Sequence, residues 1–343
     1  MTATPYYKVK FSCGGNKKLL LRQTKDSAGF SSDGRYRFFI DEEIDEEIDE
    51  ADFWVVLSKG NRRVETCCVA PKNTILLTTE PYSVLAYPQS YTRQFGWVHS
   101  SQEQIKHPNL IFGQAVLPWY FGFKSDKQGG YIVSQDYNSL IQAPAPQKTK
   151  LLSVITSNKA FTQGHIDRLR FVEKLKRHYG DRIDVFGRGF QDFEDKWEIL
   201  APYKYHIVIE NSSQRYYWTE KIADCFMTET FPFYYGCTNL GDYFPVNAFQ
   251  PIDILNFDRS VEVVDKIIAD DTYEKRKAVL SECKQLVLGK YNIFDYSASL
   301  CDTLDAALPK KQVTLQPCHA MQSWHNFYND LIGRSIFKLK NAL

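Results

Sequence analysis

The chain has 343 residues, 43% hydrophobic and 24% charged, and carries 42 Lys+Arg against 41 Asp+Glu, a formal charge of +1. At roughly 150 residues per domain, that length predicts two domains, each able to bury a core. The balanced charge gives no general attraction to phosphate backbones, so nucleic acid is not an expected partner.

Short apolar or aromatic runs at 7–11, 36–40, 53–57, 74–78 and 110–112 read as strands. Between two of them lies an acidic stretch, 41–52, with nine carboxylates in twelve residues; Ile40, Ile44 and Ile48 recur on one helical face, so it reads as a solvated helix. It lacks the Gly turn and alternating ligands of a calcium loop. The Pro-rich segment 143–150 has the composition of a stiff linker, which predicts an N-terminal domain over 1–147 and a C-terminal domain over 148–320.

Beyond that linker the pattern alternates strand and helix. Strands are expected at 151–155, 182–186, 205–209 and 233–235, with helices at 164–178 and 219–228. Such alternation predicts a parallel sheet wound by right-handed crossovers, with ligands beyond the carboxyl ends of its strands. Helices follow at 260–269, 272–290 and 296–308. A last one, 321–343, carries Arg334, Lys338 and Lys340 beside Ile336, Phe337 and Leu339; it reads as a terminal helix packing back on the N-terminal domain, with at most peripheral membrane contact as the other use. Eight cysteines are scattered without a CxxC pair, which argues against structural zinc and for reduced thiols. With no signal pattern and no span of ~18 apolar residues, the expected place is the cytoplasm, if membrane-bound then peripherally at the inner face.

The chemistry-bearing segment runs from Tyr203 to Lys221. A strand ends in Glu210-Asn211-Ser212, a polar loop follows, and Thr219 opens a helix as a good N-cap. The first turn of that helix offers N–H groups to an anion. Lys221, also in that turn, opposes the macrodipole and calls for a negative partner, for which a diphosphate is suited. A capped helix whose Glu220 and Lys221 face water is the plainer alternative, and Glu210-Asn211-Ser212 at the strand end shifts the balance toward a ligand site.

This segment resembles the donor-binding motif of the glycosyltransferase family 10 fucosyltransferases: Glu210-Asn211-Ser212, a short loop, then Tyr217-Trp218-Thr219-Glu220-Lys221. Ser157-Asn158, Arg168 and Asp184-Val185-Phe186-Gly187 upstream, and Thr230 to Gly236 downstream, extend the resemblance over 151–253. It implies an inverting α/β transferase of GT-B type, with two Rossmann-like domains facing across a cleft. It also implies GDP-fucose as donor and a glycan as acceptor. By residue match, Arg168 and Lys221 would neutralise the diphosphate, Asn158, Glu210, Asn211 and Tyr217 would line the nucleotide-sugar site, and Glu220 would bind donor hydroxyls. Arg170 competes with Arg168, but two residues turn a helix by about 200°, so only one can face the phosphate; the spacing of Arg168 to Leu175 suits the family pattern, so the resemblance implies Arg168.

The acceptor hydroxyl needs a base. The run 74–79 ends in Glu80-Pro81, where a carboxylate at a strand edge can be partly desolvated and raised toward base strength. The family's base is a Glu in a similar setting, so Glu80 is the expected catalytic residue, with His99 and Glu103 as alternatives. No DxD triplet occurs, so fixed cations are expected to replace a metal, and no cofactor is expected. Trp218 and the rings Phe233, Tyr234 and Tyr235 stand where the family has slimmer residues, and Pro118 to Gly122 reads equally as an acceptor platform or a buried turn.

Overall fold

The computed structural model describes residues 6–40, 49–158 and 163–321. The chain divides into two compact units, Met1–Leu117 with Tyr291–Leu343, and Pro118–Lys290.

The first unit is built on β1 (Tyr7–Ser12), β2 (Tyr36–Ile40), β3 (Phe53–Leu57), β4 (Glu65–Val69), β5 (Thr74–Leu77), β6 (Trp97–Ser100) and β7 (Leu110–Phe112), with short helices α1 (Lys17–Leu21) and α2 (Gln89–Thr92). Six strands form one sheet in the order β2-β1-β3-β5-β6-β7, all pairs parallel. Strands buried on both faces need near-continuous apolar runs, and β3 (Phe-Trp-Val-Val-Leu) is buried throughout.

The second unit opens with the hairpin β8 (Phe123–Ser125) and β9 (Tyr131–Val133) and helix α3 (Tyr137–Gln142). Its sheet combines β10 (Lys150–Ile155), β11 (Asp184–Phe186), β12 (Tyr203–Ile209), β13 (Phe231–Tyr235) and β14 (Gln250–Pro251) in the order β11-β10-β12-β13-β14, again all parallel. Helices α4 (Gln163–Tyr179), α5 (Lys196–Leu200), α6 (Glu220–Met227), α7 (Phe257–Ala269) and α8 (Thr272–Leu288) connect and cover it. In α4 the buried residues Arg168, Phe171, Val172, Leu175 and Tyr179 follow one stripe at helical spacing. Two parallel α/β units of this kind are the architecture of the GT-B class.

The remaining elements, α9 (Ile293–Cys301) and β15 (Lys311–Leu315), return to the first unit. Phe294 packs edge-on to Phe38 at 5.0 Å, and β15 pairs antiparallel with β4. The observed division therefore differs from the one expected at 147/148 and 320. Residues 118–147 are tied to the second unit by Asp195, which accepts from the Gly122 N–H and the Ser134 hydroxyl, each at 2.7 Å, and Lys148 anchors the end of the Pro-rich segment. Its ammonium donates to the Ala201 and Thr228 carbonyls and to Thr230 Oγ1 at 2.7–2.9 Å. The acidic stretch over 41–48 and the terminal helix over 322–343 lie outside the described residues.

Candidate nucleotide-sugar site

All the expected donor residues belong to the second unit, at the carboxyl edge of its sheet or on the helix that follows. The strands end there in Ser157 and Asn158 after β10, Gly187 after β11, Glu210 and Asn211 after β12, and Gly236 after β13. Two glycines permit this edge to close. A Cβ on Gly187, which has φ +114°, would lie 1.8 Å from the Thr156 carbonyl oxygen, and one on Gly236 would lie 2.4 Å from Glu210 Cγ.

Glu210 is a buried anchor. Its carboxylate accepts from the Thr219 N–H at 2.9 Å, from the Thr219 hydroxyl at 2.8 Å and from Lys221 Nζ at 3.0 Å. Burial pushes Glu210 above the usual carboxylate range despite the opposing pull of Lys221 and Thr219. The helix terminus that the sequence offered to a phosphate is thus held by this protein's own carboxylate. Lys221 has its negative partners too: Nζ lies 3.0 Å from Thr219 Oγ1 and 3.5 Å from Glu220 Oε1, besides Glu210. For Glu220 burial acts upward, but Lys221, Lys196 and the Thr219 hydroxyl outweigh it and hold the carboxyl below its ordinary value.

Arg168 differs from these paired charges. Only 6% exposed, it reaches from the buried stripe of α4 to the strand ends, where Nη1 donates to Asn211 Oδ1 at 3.1 Å and Nη2 lies 3.4 Å from the Ser157 carbonyl and hydroxyl. Its Nε has no acceptor, and among the described residues no carboxylate forms an ion pair with it. Burial holds its guanidinium below the usual arginine range. Arg170 points away, 71% exposed and 4.0 Å from Asp167.

Asn158 is exposed, its N–H bonded to the Arg188 carbonyl at 3.0 Å, and Asn211 is half-buried. Tyr217 lies inside the unit at 1% exposure. Trp218 and Phe233 are core residues. The first packs edge-on to Phe244 at 5.1 Å, and the second stacks on Tyr205 at 5.7 Å.

In the first unit, Glu80 follows β5 by three residues and is half-buried; its carbonyl accepts from Gln102 Nε2 at 2.6 Å, which also donates to the Leu85 carbonyl at 2.8 Å. His99 is fully buried, its Nε2 2.9 Å from the Tyr296 hydroxyl, and burial drops its pKa to about 4. That leaves it a weak base with no open face. Glu103 is exposed on a turn. The sequence reading passed over Lys196 and Asp224, a buried pair at 2.9 Å beside Glu220, because nothing local in the sequence joins them.

The fold is a two-unit α/β scaffold of GT-B type, and the strand ends of its second unit hold a buried guanidinium that forms no ion pair among the described residues. Residues 145–277 match the model of the family described as Glycosyltransferase family 10 (fucosyltransferase) C-term. Two curated relatives agree. The chain is 32% identical over 72 residues to the Alpha-(1,3)-fucosyltransferase FucT of Helicobacter pylori, covering 21% of this chain and 15% of that protein. It is 27% identical over 174 residues to Alpha-(1,3)-fucosyltransferase 4 of Bos taurus, covering 46% of this chain and 42% of the relative. The matches thus span less than half the length of these relatives. Among solved structures, an alpha-glucosyltransferase in complex with UDP-glucose and DNA containing an abasic site shares the fold at 7% identity. That likeness has a TM-score of 0.50 and covers 87% of this chain and 100% of the other.

Proposed function

We propose that this protein is an inverting glycosyltransferase that moves L-fucose from GDP-fucose to a hydroxyl of a glycan acceptor. The observation that carries the reading is Arg168, a buried guanidinium with an idle Nε–H and no carboxylate ion pair among the described residues. A buried cation without a counter-charge is costly unless an anion completes it. The diphosphate of a nucleotide sugar supplies that charge, and a planar guanidinium matches phosphate oxygens well.

In this reading Arg168 and Lys221 compensate the diphosphate, while Asn158 and Asn211 contact the nucleotide sugar. Glu210 holds Lys221 and the α6 terminus in place, and Glu220, ionised beside Lys221, accepts hydrogen bonds from sugar hydroxyls. The acceptor hydroxyl attacks the anomeric carbon and passes its proton to Glu80. The bond from that carbon to the β-phosphate oxygen breaks, and its electron pair leaves with GDP. Charge grows on the leaving group at that moment, where preorganised donors act most strongly; losing one raises the barrier by about 3–4 kcal/mol.

Fixed cations take the place of a metal in this scheme, so transfer is expected to survive exhaustive chelation. The eight scattered cysteines, without a CxxC pair, favour a reducing, cytoplasmic compartment, and no described helix is long and apolar enough to cross a membrane. The test is a screen of GDP-sugars against a saccharide acceptor panel, run with the parent chain and Glu80→Gln. GDP-fucose should be the productive donor, and Glu80→Gln should bind GDP normally yet transfer at least about 100-fold more slowly. Full activity in that variant would remove Glu80 as the base.

A further inference from the structure

The segment Pro118 to Gly122 has a use beyond packing. Its two flanking rings are buried: Phe121 stacks on Trp197 at 5.6 Å and on Trp119 at 6.1 Å. Two buried carboxylates hold its backbone. Asp224 Oδ1 accepts from the Tyr120 N–H at 3.1 Å, and Asp195 Oδ1 accepts from the Gly122 N–H at 2.7 Å. Between these fixed points the ring of Tyr120 stands 58% exposed.

That ring is held as well as exposed. Lys196 Nζ lies 5.3 Å from its centroid, in cation–π range, and is itself tied to Asp224 at 2.9 Å. Phe123 meets it edge-on at 5.2 Å. Asp224, which binds both Lys196 and the Tyr120 N–H, lies one turn along α6 from Glu220. Helix α6 therefore ties an exposed, preorganised aromatic ring to the element that carries the carboxylate assigned to sugar hydroxyls.

A pyranose has a C–H face that suits an aromatic ring and a hydroxyl rim that suits a carboxylate, and sugar sites supply both. We propose that Tyr120 is a stacking face for a pyranose bound beside Glu220, an inference that rests on the donor-site reading above. The sugar is either the donor's own or the acceptor's, and both present the same chemistry to the ring.

The test uses the full chain with Tyr120→Ala and Tyr120→Phe. Calorimetry measures GDP and GDP-fucose separately, and kinetics measures KM for the best acceptor of a saccharide panel. GDP affinity should be unchanged in both variants. Tyr120→Ala should weaken GDP-fucose or raise the acceptor KM by about three- to tenfold, and Tyr120→Phe should restore the parent value. Weakened GDP-fucose assigns the ring to the donor's pyranose, and a raised acceptor KM assigns it to the acceptor's. A Tyr120→Ala variant that matches the parent in both, or that loses GDP and GDP-fucose equally, overturns the proposal. Failure of the parent chain to bind GDP would instead overturn the donor-site reading.

Discussion

Glu210 shows how one buried side chain can organise a strand end. The sequence placed it at a strand end beside Asn211 and so among donor-binding residues. In the fold its carboxylate is spent on Thr219 and Lys221. Motif spacing locates such a residue but does not say which way it faces, since that depends on the register of β12 against β13, where the Glu210 N–H bonds the Tyr235 carbonyl at 2.9 Å. Removing one partner of a buried charge pair leaves the other uncompensated, although Lys221, 26% exposed, recovers part of that from water. Glu210→Gln should therefore lower unfolding stability by about 2 kcal/mol in a denaturant titration. An unchanged midpoint would mean that the carboxylate does not anchor the helix. Arg168, singled out by the family pattern of its spacing to Leu175, lies with Leu175 on the buried stripe of α4.

At the scale of elements, continuous apolar runs and helical periodicity carried most of the fold: β1, β2, β3, β5, β10, β12, α4 and α6 fall within a few residues of expectation. Three strands of the first unit, β4, β6 and β15, were not legible. The β4 strand, Glu-Thr-Cys-Cys-Val, alternates weakly and gains its pairing from β15, more than 240 residues later. The β6 strand carries His99 and Ser100 in its buried run, polar residues that mask a core strand in sequence but are hydrogen-bonded in the fold. His99 gives that element a pH signature. Its folded pKa of about 4 lies below the ordinary 6.5, so the unfolded chain takes up the proton first. Stability is full above 6.5 and is lost as pH falls from 6.5 through about 4, by about 3 kcal/mol in all. His99→Gln should flatten the dependence of the denaturation midpoint over that interval, and an unaltered slope would show that His99 does not titrate as described.

At the scale of the molecule, the alternation in the second half indicated one parallel α/β sheet, and the GT-B scaffold came from the family resemblance of its strand-end motif. The division into units was not, because it depends on contacts that no local pattern encodes. Asn292 Nδ2 donates to the Gln23 carbonyl at 2.8 Å and ties α9 to the first unit, while Asp224 holds Tyr120 from 104 positions away. The donor site proposed for the second unit rests on a diphosphate completing Arg168. The most direct test is calorimetric titration of the full chain and of Arg168→Ala with GDP, using guanosine as the phosphate-free control. Two charge-assisted hydrogen bonds lost to alanine should weaken GDP by at least about 10- to 100-fold and leave guanosine unchanged. Equal GDP affinity in the two proteins would contradict the account.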